Sequence, residues 1–216
     1  GDVYKRQVMN RFLKRAWAEI DLDALEHNYN EINKLAKGKD ILAVVKANAY
    51  GHDDKAVCLK LQELGVKYYG VSNLWEGEKL RQHGITGTIL TFGYTDEDYF
   101  DELLEYGITQ TAGSVQYAKQ LSDYAVSKGV KLPVHIKVNT GMTRVGIDSQ
   151  QEMLDIIAMP GLDCKAAYTH FAAADSLDPS DVEYTDRQQE KLMKIAKDKG
   201  PVSYTHLRAH ETRSNL

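Results

Sequence analysis

A lysine closes a short run of strand-forming residues near the start of the chain. The segment 41–45 reads Ile-Leu-Ala-Val-Val, and Lys46 follows it directly, ahead of a turn of small residues that contains Gly51. Apolar surroundings at a strand end disfavour the charged form of an amine. An amine that is partly neutral at physiological pH can attack a carbonyl carbon and form a Schiff base. Lys46 is therefore a candidate nucleophile, although an isolated strand-end lysine more often reaches into solvent.

The elements that must position this lysine alternate regularly along the chain. We predict strands at 41–45, 67–72, 88–92, 108–112, 134–138 and 163–169, a first helix capped by Asp21, and further helices at 54–64, 74–83, 96–106, 114–128, 150–158 and 181–199. Unbroken β/α alternation indicates a parallel sheet, either doubly wound or closed into a barrel. No G-x-G-x-x-G follows the first strand, which disfavours a dinucleotide-binding fold. We predict an α/β fold, a (β/α)₈ TIM-type barrel truncated after about six β/α units.

Three side chains with usable chemistry fall at the predicted carboxyl ends of strands. They are Lys46, Lys137 and His170. Chemistry in such barrels gathers at that end of the strands. We expect these three residues to share one edge of the sheet.

The two ends of the chain resemble translated sequencing adapter. Segments 1–7 and 202–208 are reading frames of a transposon-type adapter string and, largely, of its reverse complement. We expect neither segment to contribute to the native fold. We expect adapter-derived tails at 1–7 and 202–216, a partial barrel at 8–201, and a missing C-terminal β domain. We also expect this fragment to be inactive alone.

Composition excludes several classes of function. The formal net charge is −4 and becomes about −6 without the two tails, and no dense basic patch is present, which argues against nucleic-acid binding. Cys58 and Cys164 lie far apart without a CxxC pair, so we expect free thiols in the cytoplasm. No apolar run reaches the length of a membrane span, and no HExxH or comparable pattern predicts a metal site.

Four segments, in order along the chain, resemble the alanine racemase family. They are 17–25 (Trp-Ala-Glu-Ile-Asp-Leu-Asp-Ala-Leu), 43–52 (Ala-Val-Val-Lys-Ala-Asn-Ala-Tyr-Gly-His), 137–146 (Lys-Val-Asn-Thr-Gly-Met-Thr-Arg-Val-Gly) and 168–175 (Tyr-Thr-His-Phe-Ala-Ala-Ala-Asp). The resemblance covers nearly all of 16–200. It implies a fold-type III enzyme that uses pyridoxal 5′-phosphate.

The resemblance also implies roles for particular residues. Lys46 matches the lysine that holds pyridoxal 5′-phosphate covalently and then moves the substrate α-proton on one face. Tyr50 matches the tyrosine that binds the cofactor phosphate, and His170 matches a histidine packed beside the cofactor ring. Arg144 matches an arginine near the cofactor's phenolic oxygen and the substrate carboxylate. Lys137 matches a position that is a carbamylated lysine in many members.

The activity that the resemblance implies is interconversion of L- and D-alanine, which supplies D-alanine for peptidoglycan, in a homodimer whose partner subunit provides the second base. Segments 93–95 and 175–177 are similar to serine/alanine racemases, so serine or a broader substrate range stays open. A non-catalytic pyridoxal-phosphate-binding barrel is a third reading. Asp53 stands where the family usually has glycine, Thr143 where glycine or histidine is common, and Asn139 replaces a frequent aspartate.

Overall fold

The computed structural model describes residues 18–197 and the backbone of 203–207. The helices are α1 (Leu22–Ala36), α2 (Asp54–Glu63), α3 (Leu74–Gln82), α4 (Phe100–Glu105), α5 (Val115–Ser127), α6 (Gln150–Ile157) and α7 (Pro179–Ala196), with a 3₁₀ turn at Glu97–Tyr99. The strands are β1 (Leu42–Val44), β2 (Tyr68–Val71), β3 (Thr88–Thr91), β4 (Ile108–Ala112), β5 (Leu132–Lys137), β6 (Leu162–His170) and β7 (Ser203–Leu207). The predicted elements are confirmed to within a few residues, except that the predicted helix 96–106 begins as the 3₁₀ turn.

The strands form one parallel sheet in the order β1-β2-β3-β4-β5-β6-β7. A doubly wound sheet would reverse its strand order at a switch point. Sequential order throughout instead curls the sheet in one direction, as in a (β/α) barrel. The TIM-type prediction is confirmed. β7 lies in the segment for which we predict an adapter origin, and that origin stays a prediction.

Short polar side chains begin most of the helices. The Asp21 carboxylate accepts the Asp23 and Ala24 amides at 2.9 Å, as expected for an N-cap. Only part of the apolar side of α1 is covered: Leu25 and Tyr29 pack against the core, whereas Leu35 is 79% exposed.

Two apolar layers lie on opposite faces of the sheet. The larger layer faces the helices and includes residues such as Tyr69, Ile89 and Ile136. The smaller layer faces the interior of the curl and contains Leu90 and Tyr168, with Leu42 and Phe92 packed against them. Lys137 pairs in register with Tyr168 and therefore shares its interior face.

A bulge decides which side chains of β6 face the interior. Val134 pairs with Cys164 whereas His135 pairs with Ala166, so β6 carries one extra residue, Lys165, at this point. Cys164 packs on the helix side, and strict alternation would have placed Tyr168 there as well. The inserted residue reverses the alternation. Tyr168 and His170 consequently face the same interior as Lys137.

Candidate active site

A left-handed turn carries the candidate nucleophile. Lys46–Tyr50, here called the lysine turn, follows β1 after Val45. The φ angles of Ala47, Asn48, Ala49 and Tyr50 lie between +52° and +56°. L-residues avoid this region at a cost of roughly 1–2 kcal/mol each, and usually enter it singly. Strain of this kind persists only where the surroundings fix it, and it is enriched at functional sites.

Polar contacts fix the lysine turn from the side of α2 and α3. The Asn48 Oδ1 accepts the Asp54 amide at 3.1 Å and lies 3.4 Å from the Lys79 Nζ. Lys79 in turn donates to the carboxylate of Asp54 at 2.9 Å. Asp54 is 4% exposed, and a buried carboxylate requires such a partner. Gly51 ends the turn at φ +86° and donates to the Ala47 carbonyl.

The turn brings Tyr50 next to Lys46. The Lys46 Nζ lies 5.8 Å from the centre of the Tyr50 ring, a distance at which a cation and an aromatic face attract each other. The Tyr50 side chain is 49% exposed. The pair therefore offers an amine and a phenol at the carboxyl end of β1.

Lys137 is the last residue of β5, and its side chain lies over the ring of Tyr168. Its Nζ donates to the Val138 carbonyl at 2.9 Å and lies 5.5 Å from the centre of the Tyr168 ring. Burial, together with the nearby charge of Arg144, lowers the pKa of the Lys137 amine to about 8. A large fraction of this amine is consequently uncharged in mildly alkaline solution.

The Tyr168 side chain contacts residues of the neighbouring strands. The Tyr168 hydroxyl lies 2.8 Å from the Thr111 Oγ1, which donates to the Thr91 carbonyl at 2.6 Å. The rings of Tyr168 and Phe92 lie 5.9 Å apart. β3, β4 and β6 thus hold the Tyr168 ring in place.

The loop that carries Arg144 is ordered by Asn139. The Asn139 Oδ1 accepts the Gly141 and Thr143 amides at 3.2 and 2.9 Å, and its Nδ2 donates to Asp148 at 3.0 Å. Thr143 has a φ of +56°, which explains why glycine suits this position. Arg144 is exposed on this loop, so its guanidinium is open to a ligand.

His170 is the last residue of β6. Its carbonyl accepts a hydrogen bond from the Gln188 Nε2 at 3.4 Å. The structure therefore places Lys46, Lys137 and His170 at the carboxyl ends of β1, β5 and β6, as the strand assignments predict. Tyr50 and Arg144 lie on the loops that follow β1 and β5 at the same edge.

Sequence reasoning missed two polar residues close to this edge. His135 lies two residues before Lys137 on the interior face and is 6% exposed, and its Nδ1 has no hydrogen-bond partner among the described residues. Burial lowers the pKa of its imidazole to about 4. Glu76 in the first turn of α3 contacts the lysine turn directly. Glu76 follows the N-cap residue Asn73 by three positions, which matches a helix-capping pattern. The sequence therefore indicates only a capping role for Glu76.

Two features of the described residues bear on other classes of function. Within 18–197, no three or more His, Cys, Asp or Glu side chains are grouped so that they could hold a metal ion. None of the helices in the described part of the chain is long and apolar enough to cross a membrane.

A protein-family model described as "Alanine racemase, N-terminal domain" matches residues 20–210. The chain belongs to this family. It is 39% identical to the alanine racemase of Clostridium perfringens (strain SM101 / Type A) over 193 residues, which are 88% of this chain and 49% of that protein. The chain thus spans about half the length of the curated relatives it matches.

Solved structures agree with this family assignment. The alanine racemase of Clostridium difficile 630 has a TM-score of 0.82 and 33% sequence identity, covering 91% of this chain and 53% of that one. A histidine racemase from Leuconostoc mesenteroides subsp. sake has a TM-score of 0.79 and 27% identity, covering 87% and 51%. The fold of this family is therefore found in proteins named for different amino acids.

Proposed function

We propose that this chain is the cofactor-bearing barrel of a racemase that interconverts L- and D-alanine with pyridoxal 5′-phosphate. The observation that carries the proposal is the presentation of Lys46 by a strained left-handed turn at the carboxyl end of β1. Lys137 and His170 end strands at the same edge, and the family assignment supports the same reading.

The donor set fits pyridoxal 5′-phosphate. Lys46 offers the primary amine that an aldehyde requires. Arg144 adds positive charge near one edge of the sheet, which suits an anionic phosphate or carboxylate. Tyr50 offers a phenol for a phosphate oxygen, and His170 an imidazole of a size that can pack beside a pyridine ring. When bound, the cofactor supplies an electron sink that acidifies the α-proton of an amino acid.

The residues of this chain perform the remaining tasks. The Arg144 guanidinium binds and orients the substrate carboxylate through paired N–H donors. The Lys46 amine takes up or returns the α-proton on one face of the substrate. Racemisation needs a second base on the opposite face, and we propose that the partner subunit of a homodimer supplies it.

We propose that Lys137 carries a carbamate. Only an uncharged amine attacks CO₂, forming an N–C bond and releasing one proton, and the pKa of about 8 makes that form available. The charge of Arg144 disfavours the ammonium form of Lys137. The same charge would attract the carboxylate of the product. Incubation with ¹³CO₂ should give a carbamate carbon signal that is lost in the Lys137→Arg variant. A signal that persists in this variant would refute the assignment.

A second candidate is a racemase of another or a broader range of amino acids. The likeness to the histidine racemase of Leuconostoc mesenteroides supports this alternative, because a similar barrel there serves a different side chain. Comparing kcat/KM for L-alanine, L-serine and L-histidine in the full-length protein separates the candidates. Cofactor binding without turnover of any of them would favour a non-catalytic carrier.

We further propose a cytoplasmic location and a role in supplying D-alanine for peptidoglycan. Cys58 and Cys164 are both free thiols, as is usual in reducing compartments.

Burial raises the pKa of Cys58 to about 12 and that of Cys164 to about 11. Both thiols therefore stay protonated and unreactive at neutral pH.

Borohydride reduction tests the central proposal. The full-length protein incubated with pyridoxal 5′-phosphate and then reduced should carry the cofactor mass on the peptide that contains Lys46. The Lys46→Ala variant should lose this mass, whereas Lys67→Ala, which removes an exposed lysine at the opposite end of a strand, should retain it. Labelling of another residue, or of none, would refute the proposal.

A further inference from the structure

Two glutamates occupy equivalent positions at the starts of two helices. Glu76 is the third residue of α3 and Glu152 the third of α6. Each backbone amide donates to the side chain of its N-cap residue, Asn73 or Ser149. A glutamate at this position normally turns back to the chain just before its own helix.

Glu152 follows that rule completely. One of its oxygens, Oε2, accepts the Asp148 amide at 3.0 Å, the Ser149 amide at 2.9 Å and the Ser149 hydroxyl at 2.8 Å. All three donors belong to the segment that immediately precedes α6. The role of Glu152 is therefore local.

Glu76 uses its second oxygen differently. Its Oε2 accepts the Ser72 amide and hydroxyl, both at 2.7 Å, which is again a local cap. Its Oε1 accepts the Ala47 amide at 2.8 Å, from a residue 29 positions earlier in the chain. Ala47 is the first left-handed residue of the lysine turn and adjoins Lys46. A single carboxylate therefore joins the loop after β2 to the backbone that presents the amine.

We propose that Glu76 is a positioning residue for the Lys46 amine, a role that rests on the proposed function. A hydrogen bond from an amide to an ionised carboxylate is roughly twice as strong as one between neutral groups. This bond holds the first residue of a turn whose backbone conformation is unfavourable in itself. Without it, the turn samples right-handed or extended conformations that carry the Lys46 amine away from the edge of the sheet.

Amide hydrogen exchange in the cofactor-free, full-length protein tests this role. In Glu76→Gln, the replacement amide group cannot accept two sets of donors, so exchange in a peptide spanning 46–51 should accelerate about tenfold or more. In the matched control Glu152→Gln, exchange should accelerate before α6 but stay within about twofold of wild type at 46–51. Unchanged exchange at 46–51 in Glu76→Gln, or equal acceleration in both variants, would overturn the proposal.

A second readout separates positioning from loss of stability. If Glu76→Gln and Glu152→Gln have similar urea midpoints, Glu76→Gln alone should show reduced borohydride trapping and weaker visible absorbance of bound cofactor. Equal trapping in both variants would contradict positioning. If Glu76→Gln does not fold, Glu76→Asp keeps a capping carboxylate but is too short to join both loops, and the same outcomes apply to it. Wild-type protein that is never trapped at Lys46 would refute the proposed function, whereas the exchange result would still decide the role of Glu76.

Discussion

The buried histidine on β5 should make the protein sensitive to mild acid. His135 is 6% exposed, and burial lowers its pKa from an ordinary value of 6.5 to about 4. Between these two values, the unfolded chain binds a proton at this residue and the folded chain does not. The contribution of the uncharged His135 to the free energy of unfolding is therefore fully present above pH 6.5 and is lost as the pH falls towards 4.

The size of this effect follows from the two pKa values. At pH 5, the unfolded-state pKa lies one and a half units above the solution pH, and the folded-state value lies below it. Each unit corresponds to about 1.4 kcal/mol, so His135 should account for about 2 kcal/mol of the stability lost between pH 7 and pH 5. This is a large share of the stability of an ordinary domain.

Urea unfolding at pH 7 and pH 5 measures the contribution of His135. In His135→Gln, the difference in unfolding free energy between the two pH values should be smaller than in wild type by about 2 kcal/mol. The control His27→Gln removes an exposed histidine and should leave the wild-type difference unchanged. The quantity compared is the change with pH, so a uniform loss of stability in the variant does not affect the result. A wild-type pH dependence in His135→Gln would refute the reasoning.

Two further predictions concern the positions that depart from the family pattern. Asn139→Asp places a second carboxylate where the Asn139 amide now donates to Asp148 at 3.0 Å. Because the two carboxylates repel each other, the free energy of unfolding should fall by about 1 kcal/mol at pH 7 and by less at pH 4, as measured by urea unfolding. A loss that is independent of pH would exclude charge repulsion as its cause. Asp53 has a φ of +69° and caps α2 by accepting the Ala56 amide at 2.8 Å. Asp53→Ala should cost about 1 kcal/mol through the lost cap, whereas Asp53→Gly should be nearly neutral because relief of the backbone offsets that loss. Equal thermal unfolding of both variants would contradict this account.

The order of elements could be predicted from sequence because the chain marks them clearly. Periodic apolar residues and capping residues such as Asp21 and Ser114 indicate the helices, and the cap at each is seen in the structure. The residues at the carboxyl ends of strands follow from that order alone. This is why Lys46, Lys137 and His170 could be assigned to one edge of the sheet.

The arrangement of side chains within the site could not be predicted in the same way. The bulge opposite His135 depends on one extra residue, Lys165, and ordinary alternation gives no sign of it. The left-handed conformation of the lysine turn includes two alanines, which are strong formers of right-handed helices. The contact from Glu76 to Ala47 joins residues 29 positions apart. Each of these features is set by tertiary contacts, which override local preference.

The handedness of the lysine turn has a consequence for the chirality of its own residues. In this conformation, an L-alanine places its methyl group against the following carbonyl, whereas a D-alanine does not. Ala47 and Ala49 have φ values of +53° and +52°. Ala47 is exposed whereas Ala49 is packed in the core, so position 47 is the one suited to the mirror-image residue. Protein assembled by chemical ligation with D-alanine at position 47 should therefore be more stable than the natural chain by roughly 1 kcal/mol. The backbone that presents the amine is thus locally better suited to the enantiomer that translation does not supply.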